Sequence, residues 1–262
     1  MNQVVDQTGE TCGRRTEFIP RISPLLLSLF QRYVRFYLGR HFSSLFVMHP
    51  LPHFDRAEGP YVIFLNHASW WDPLVCLLLA SRFTSAFSNF APIDRHMLEK
   101  FRFFRKLGFF GIEKNSPVGG LQFIRASDEI LAQPQTVLWM TPQGAFVDQR
   151  VRPTELKSGI GLLVHRQPNL RLVPLALDYS FGSTRLPTIC AKFGSEISTG
   201  DANFLSREGW VELLRLALEQ TQDELAAAVL TSDANHRTAI LAGRQGTGGI
   251  YGVWQRVRGV TC

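Results

Sequence analysis

Cysteine is scarce in this chain. Its four residues, Cys12, Cys76, Cys190 and Cys262, are spaced too widely for a disulfide framework or a paired metal motif. That usage points to a reducing, cytosolic setting. No apolar run approaches the roughly 18 residues that a membrane-spanning helix needs. A signal peptide's apolar core is also missing, because Asp6, Glu10, Arg14, Arg15 and Glu17 interrupt the opening residues. The membrane reading this leaves is peripheral attachment, at the cytoplasmic face. No Gly-x-Ser-x-Gly elbow is present to make a serine hydrolase, so Ser69 has only the neighbouring His67 to recommend it as a nucleophile. No Gly-rich loop precedes a Lys-Ser or Lys-Thr pair, which leaves nucleotide hydrolysis unsupported. No second His or Cys stands at ligand spacing from His67 and Asp72, so no metal is expected; His53, His96 and His165 read as surface or packing residues. The chain carries no internal repeat.

What is present is apolar and aromatic. With 45% hydrophobic and 19% charged residues in a 262-residue chain, a sizeable core can be buried, and one domain with peripheral additions is expected. The balance of 28 Lys and Arg against 22 Asp and Glu gives a net charge of +6, dispersed along the chain, which favours an anionic surface. Nucleic acid as a partner has no motif behind it. Twenty Phe and five Trp, several interleaved with Arg, suit a lipid interface, where rings and snorkelling cations both partition.

The pattern along the chain is α/β. Residues 1–19 read as a loose leader. Pro24 to Phe42 reads as a basic amphipathic helix, with Leu25, Leu26, Leu27, Leu29 and Phe30 interrupted by Arg32, Arg35 and Arg40. Such a helix either lies in lipid headgroups or packs on the domain with its arginines in water. Strands follow at Tyr61 to Leu65, near Ala86 to Pro92, at Thr136 to Met140, at Arg171 to Leu177 and over Leu186 to Phe193. Between them the pattern predicts helices from Pro73 to about Ser81, around Met97 to Leu107, and from the Ser116 cap to about Ala132. A long amphipathic helix is expected over Phe204 to Leu230. The architecture implied is a mixed, mostly parallel central sheet flanked by helices, with three parts: leader and helix (1–45), main domain (46–230) and a poorly ordered basic tail (231–262).

The run Asn66-His67-Ala68-Ser69-Trp70-Trp71-Asp72-Pro73 stands out because a base and a carboxylate follow directly on a buried strand. Residues five apart in a helix are rotated by about 140°, so His67 and Asp72 meet only if a non-helical turn separates them. Pro73 at the first helical position, with Asp72 as its N-cap, supplies that turn. The plain alternative is a helix start beside a hydrogen-bonded loop histidine. In open α/β sheets ligands bind beyond the C-terminal ends of the strands, where a second polar loop, Thr141-Pro142-Gln143-Gly144, also falls.

His67 and Asp72, with four residues between them behind a strand, resemble the signature of the glycerolipid acyltransferases, the lysophosphatidate acyltransferase family. The similarity extends from about Tyr61 to Leu177. Gly108-Phe109-Phe110-Gly111-Ile112-Glu113-Lys114 looks like that family's glycine, apolar, acidic, basic segment, with Lys114 where an Arg usually holds the acceptor's phosphate. Lys keeps the charge and loses the bidentate fork, and Glu113-Lys114 also reads as an ordinary solvated pair. Thr141-Pro142-Gln143-Gly144-Ala145-Phe146 aligns with the family's Phe-Pro-Glu-Gly-Thr-Arg loop. Pro142 and Gly144 survive, while Gln143 offers an acceptor hydroxyl hydrogen bonds without charge and Phe146 replaces an Arg. Val173-Pro174-Leu175-Ala176 resembles the strand that lines the family's acyl pocket, and also reads as plain core.

The resemblance implies transfer of a fatty acyl group from acyl-CoA or an acyl-carrier protein, used as co-substrate with no resident cofactor, to a hydroxyl of a lipid acceptor. His67 would be the general base and Asp72 its orienter; Gly111, Lys114, Pro142, Gln143 and Gly144 would hold the acceptor, and Val173 and Pro174 the acyl chain. The altered loop leaves the acceptor open between a lysophospholipid and a non-phosphorylated glycolipid or terpenoid hydroxyl. The rival is a catalytically inactive lipid-binding protein on the same fold.

Overall fold

The structure is a computed structural model that describes residues 19–244 except 115, 183, 203–204 and 232–235. The expected leader therefore lies almost entirely outside the described residues. Tyr61–Leu65 (β2) and Thr136–Met140 (β5) are buried at every position and run side by side in parallel, as their unbroken apolar sequences require of strands covered on both faces. Arg171–Ser180 (β6) is the other parallel neighbour of β2. Outward from β5 come Ser88–Asp94 (β3) and Phe109–Ile112 (β4), both parallel. Beyond β6 lie Thr188–Phe193 (β7), Ser44–Met48 (β1) and Arg237–Ala242 (β9), with the β6/β7 and β1/β9 pairs antiparallel. The short Ile197–Ser198 (β8) pairs with the start of β6. The chain is α/β, with a nine-stranded, mixed and mostly parallel sheet in the order β4-β3-β5-β2-β6-β7-β1-β9.

Helices cover both faces. Pro24–His41 (α1) and Asp72–Phe83 (α2) pack over Ile63, Leu65, Trp139, Leu175 and Leu177. Pro117–Leu131 (α4), Gly159–Arg166 (α5) and Arg207–Thr231 (α6) cover the alternate residues Val62, Phe64, Leu138 and Leu172. The period-two alternation of each strand assigns these two sets to opposite faces. α4 starts as predicted, with the Ser116 hydroxyl accepting from the Gly119 N–H at 2.9 Å.

Of the two readings of α1, packing on the domain is met, because Val34 and Leu38 are fully buried in the core it shares with α2. Three expectations are corrected. The segment expected to be a poorly ordered tail contributes β9, whose Ile240 and Leu241 are buried against β1; residues 245–262 lie outside the described residues. The helix expected over Met97 to Leu107 is two pieces, Arg95–Lys100 (α3) and a 3-10 helix at Arg102–Leu107. The break at Phe101 lets Phe103 meet Phe30 of α1 and Phe104 meet Phe109 of β4, with ring centroids 5.6 and 5.5 Å apart. The strand expected near Ala86 to Pro92 begins and ends two residues later, as β3. β1 and α5 were not foreseen.

Candidate active site

β2 ends at Leu65, and the chain leaves the sheet through Asn66, whose side chain is fully buried. Its amide accepts the Leu177 N–H at 2.8 Å and donates to the Leu177 carbonyl at 3.0 Å. A side chain thus continues the β2/β6 ladder where the backbones part. Asn66→Ala leaves both Leu177 groups unpaired and should cost about 3 kcal/mol, lowering the melting temperature by about 10 °C. Thermal denaturation followed by circular dichroism reads this, and an unchanged melting point would refute the staple.

His67 follows. Its backbone N–H donates to Gln143 Oε1 at 2.7 Å and its carbonyl accepts the Val147 N–H at 2.9 Å, so the loop after β5 grips its main chain. The segment from Asn66 to Trp71 is not helical, and a turn in which the Asp72 N–H donates to the Ser69 carbonyl at 3.1 Å brings the chain into α2. This turn places His67 Nδ1 2.7 Å from Asp72 Oδ2. The N-cap is Trp71, and Asp72 occupies the first helical position, with its carboxylate directed away from helix capping and into a polar cluster. Oδ2 also accepts the Ser69 N–H at 3.1 Å, and Oδ1 accepts the Tyr179 hydroxyl at 2.6 Å. The His67 side chain is 16% exposed and that of Asp72 2%. A carboxylate only accepts, so the neutral ring carries its proton on Nδ1 and presents Nε2 as the base.

His67 and Asp72 form part of the wall of a cavity of about 1590 Å³, open to solvent on one side and bordered by α1, α2, the 3-10 helix and residues of α4, α5 and α6. Leu27, Phe30, Leu77, Phe104 and Ile160 make much of its surface apolar. Trp70 and Phe146 lie on it beside His67, the Phe146 ring 4.3 Å from the imidazole and 60% exposed. Lys114, Pro142 and Gly144 face this space. Lys114 Nζ stands 3.9 Å from the Asp94 carboxylate and remains half exposed, a loose pair that an anionic ligand can displace at little cost. Gly144 has φ +67°, and a Cβ there would fall 2.5 Å from Lys157 Cε, so glycine lets the lysine stem lie over the loop.

Gly111, Gln143, Val173 and Pro174 do not line the cavity. Gly111 packs under α3, where a Cβ would meet Leu98 at 3.1 Å. Gln143 is buried and spends its Oε1 on the His67 backbone; a glutamate would offer the same acceptor, so the departure at this position costs the contact nothing. Val173 is core beneath α1 and α2, and Pro174 lies against the other face, its carbonyl accepting the Gly194 N–H at 2.8 Å. The alternation of β6 puts Val173 in the sheet interior, short of the cavity. Sequence reasoning missed Tyr179 and the staple role of Asn66. The alternation was the available signal for Tyr179, since it shares a face with Val173, Leu175 and Leu177.

Cys76, one turn along α2 from Asp72, also lies on the cavity, and burial followed by the Asp72 charge pushes its thiol well up. Burial pushes the Cys190 thiol up to about 12. Both stay protonated and poorly nucleophilic at neutral pH. Iodoacetamide at pH 7.5 should leave the Cys76 and Cys190 peptides unmodified in the folded protein and label them after denaturation, as read by peptide mass spectrometry. Among the described residues no group of His, Cys, Asp and Glu is arranged to hold a metal ion. Comparison with known proteins adds no relative to this geometry: no family model and no curated protein matches the chain.

Proposed function

We propose that the chain is an O-acyltransferase that moves a fatty acyl group from a thioester to a hydroxyl of a lipid acceptor. The observation that carries this reading is the 2.7 Å His67–Asp72 pair set in the wall of a large apolar cavity. His67 Nε2 takes the acceptor's hydroxyl proton while that oxygen attacks the thioester carbonyl carbon. Asp72 holds the tautomer and stabilises the imidazolium. The tetrahedral intermediate collapses with loss of the C–S bond, and the imidazolium returns its proton to the departing thiolate. The products are an ester and a free thiol. The apolar walls between α1 and the 3-10 helix suit the acyl chain, and Lys114, Pro142 and Gly144 border the space left for the acceptor. Acyl-CoA or acyl-carrier protein serves as donor.

The outer face of α1 supports contact with a membrane surface. Leu25, Leu29, Tyr33 and Phe36 are exposed there beside Arg32 and Arg40, and the helix contains no acidic residue. No helix among the described residues is long and apolar enough to cross a membrane. Peripheral attachment to the cytoplasmic leaflet is the arrangement that fits this face.

The second reading, a lipid-binding protein without activity, draws on Phe146, an apolar ring against the imidazole where the resembling family has a cation. One assay separates the two. Release of free thiol from a long-chain acyl thioester is followed with lysophosphatidate, glycolipid and terpenoid-glycoside acceptors, in detergent and on anionic vesicles. Acceptor-dependent release establishes the transferase, and the responding acceptor names the class. Lipid binding without release leaves the second reading.

A further inference from the structure

We infer that Tyr179 is a positioning residue for the His67–Asp72 pair, acting through the carboxylate. The inference rests on the acyltransferase reading. Asp72 is buried, and a buried carboxylate needs its oxygens occupied by donors and its plane held. Oδ2 faces His67 Nδ1 and the Ser69 N–H, both from its own loop, and Oδ1 accepts, among the described residues, from the Tyr179 hydroxyl alone. That bond, at 2.6 Å, lies in the short range of O–H···O⁻ contacts, which are about twice as strong as neutral ones. It comes from a different part of the sheet. β6 is paired with β2 up to Leu65, and Tyr179 itself is held opposite Ile189 in the β6/β7 ladder. The phenol is therefore carried on the paired strands of the sheet, outside the turn that holds His67 and Ser69, and it fixes the rotation of the carboxylate against the sheet.

The chemistry of the donor suits this task. Burial and then the Asp72 charge push the phenol's titration well up, so Tyr179 remains a donor wherever Asp72 is ionised. Cys76 is the other titratable group facing Asp72, from α2, and it too stays protonated. The tyrosine hydroxyl has two consequences for His67. It sets the direction of the Nδ1–H bond, and it draws charge from the carboxylate, moderating the acceptor that the imidazole meets. A tyrosine placed only to fill space would do neither.

Tyr179→Phe and an isosteric replacement of Tyr179 by 3-fluorotyrosine, a more acidic donor, test this. Removing the hydroxyl should lower kcat about tenfold, the loss expected of a hydrogen bond to a charged group, with KM for the acyl thioester changed less than twofold. The downfield proton signal of His67 Nδ1–H, assigned by its absence in His67→Ala, should move further downfield in Tyr179→Phe, because Asp72 becomes a stronger acceptor. With 3-fluorotyrosine it should move upfield. An unchanged kcat with the proton signal at its wild-type position in both variants would overturn the inference. Should the signal move in both variants while the wild type releases no thiol with any acceptor, the network stands and the acyltransferase reading alone fails.

Discussion

His67→Ala is expected to lower acceptor-dependent thiol release by about 10² to 10⁴-fold, the range that a positioned general base supplies. The acceptor's hydroxyl is a poor nucleophile while it keeps its proton, and in the described structure His67 is the histidine whose ring lies in the cavity wall with its orientation fixed by a carboxylate. Substitution removes the base but leaves the cavity, so KM for the acyl thioester should change far less than kcat. The fold should persist, because the side chain is partly exposed and the grip of Gln143 and Val147 is on its backbone. A variant of full activity would remove His67 from the mechanism.

Asp72→Asn should cost about 10³ to 10⁴-fold in kcat, although it changes one oxygen for nitrogen. The carboxylate accepts from the His67 Nδ1–H, from the Ser69 N–H and from the Tyr179 hydroxyl, three donors converging on an acceptor-only group. A carboxamide must turn its NH₂ toward one of them. Directed at His67, it makes Nδ1 the acceptor, moves the ring proton to Nε2 and leaves no lone pair for the substrate's proton. Directed at Tyr179, it reverses that bond, so that the amide donates to the phenol oxygen and the phenol's own proton loses its acceptor. Kinetics at saturating acceptor measure the loss, and imidazole nitrogen shifts report the tautomer. A variant retaining more than a tenth of the wild-type kcat would show that Asp72 serves α2 and not His67.

The extent to which the sequence was legible follows from how local each signal is. β2 and β5 were readable because a central parallel strand is apolar at consecutive positions, whatever its neighbours are. α4 was readable from its own Ser116-Pro117 start. β1 and β9 were not. Each is short, and β9, the half-buried edge strand Arg-Thr-Ala-Ile-Leu-Ala, forms on a partner nearly two hundred residues away in sequence, as the Phe46–Ala239 pairing shows. α5 escaped because it begins with Gly159 and contains Gly161, which weakens a helix by propensity. A Cβ at position 161 would lie 2.3 Å from the Arg207 carbonyl, so the glycine answers to α6 and not to its own helix.

By itself the sequence determined the α/β class, the central strands and the proximity of His67 to Asp72, because a strand end, a non-helical turn and a proline helix start are all encoded within a dozen residues. Tertiary structure decided the rest of the site. Gln143 reads as an acceptor ligand until the β5 loop folds back and binds it to the His67 backbone. Val173 and Pro174 read as pocket residues until β6 is seen to lie inside the sheet. Tyr179 carries no local motif, and it becomes the partner of Asp72, 107 residues away, only because β6 lies beside β2 and its alternation puts Tyr179 on the face that α2 covers. Hydrogen bonds of that kind depend on strand pairing across the whole chain, which no short stretch of sequence contains.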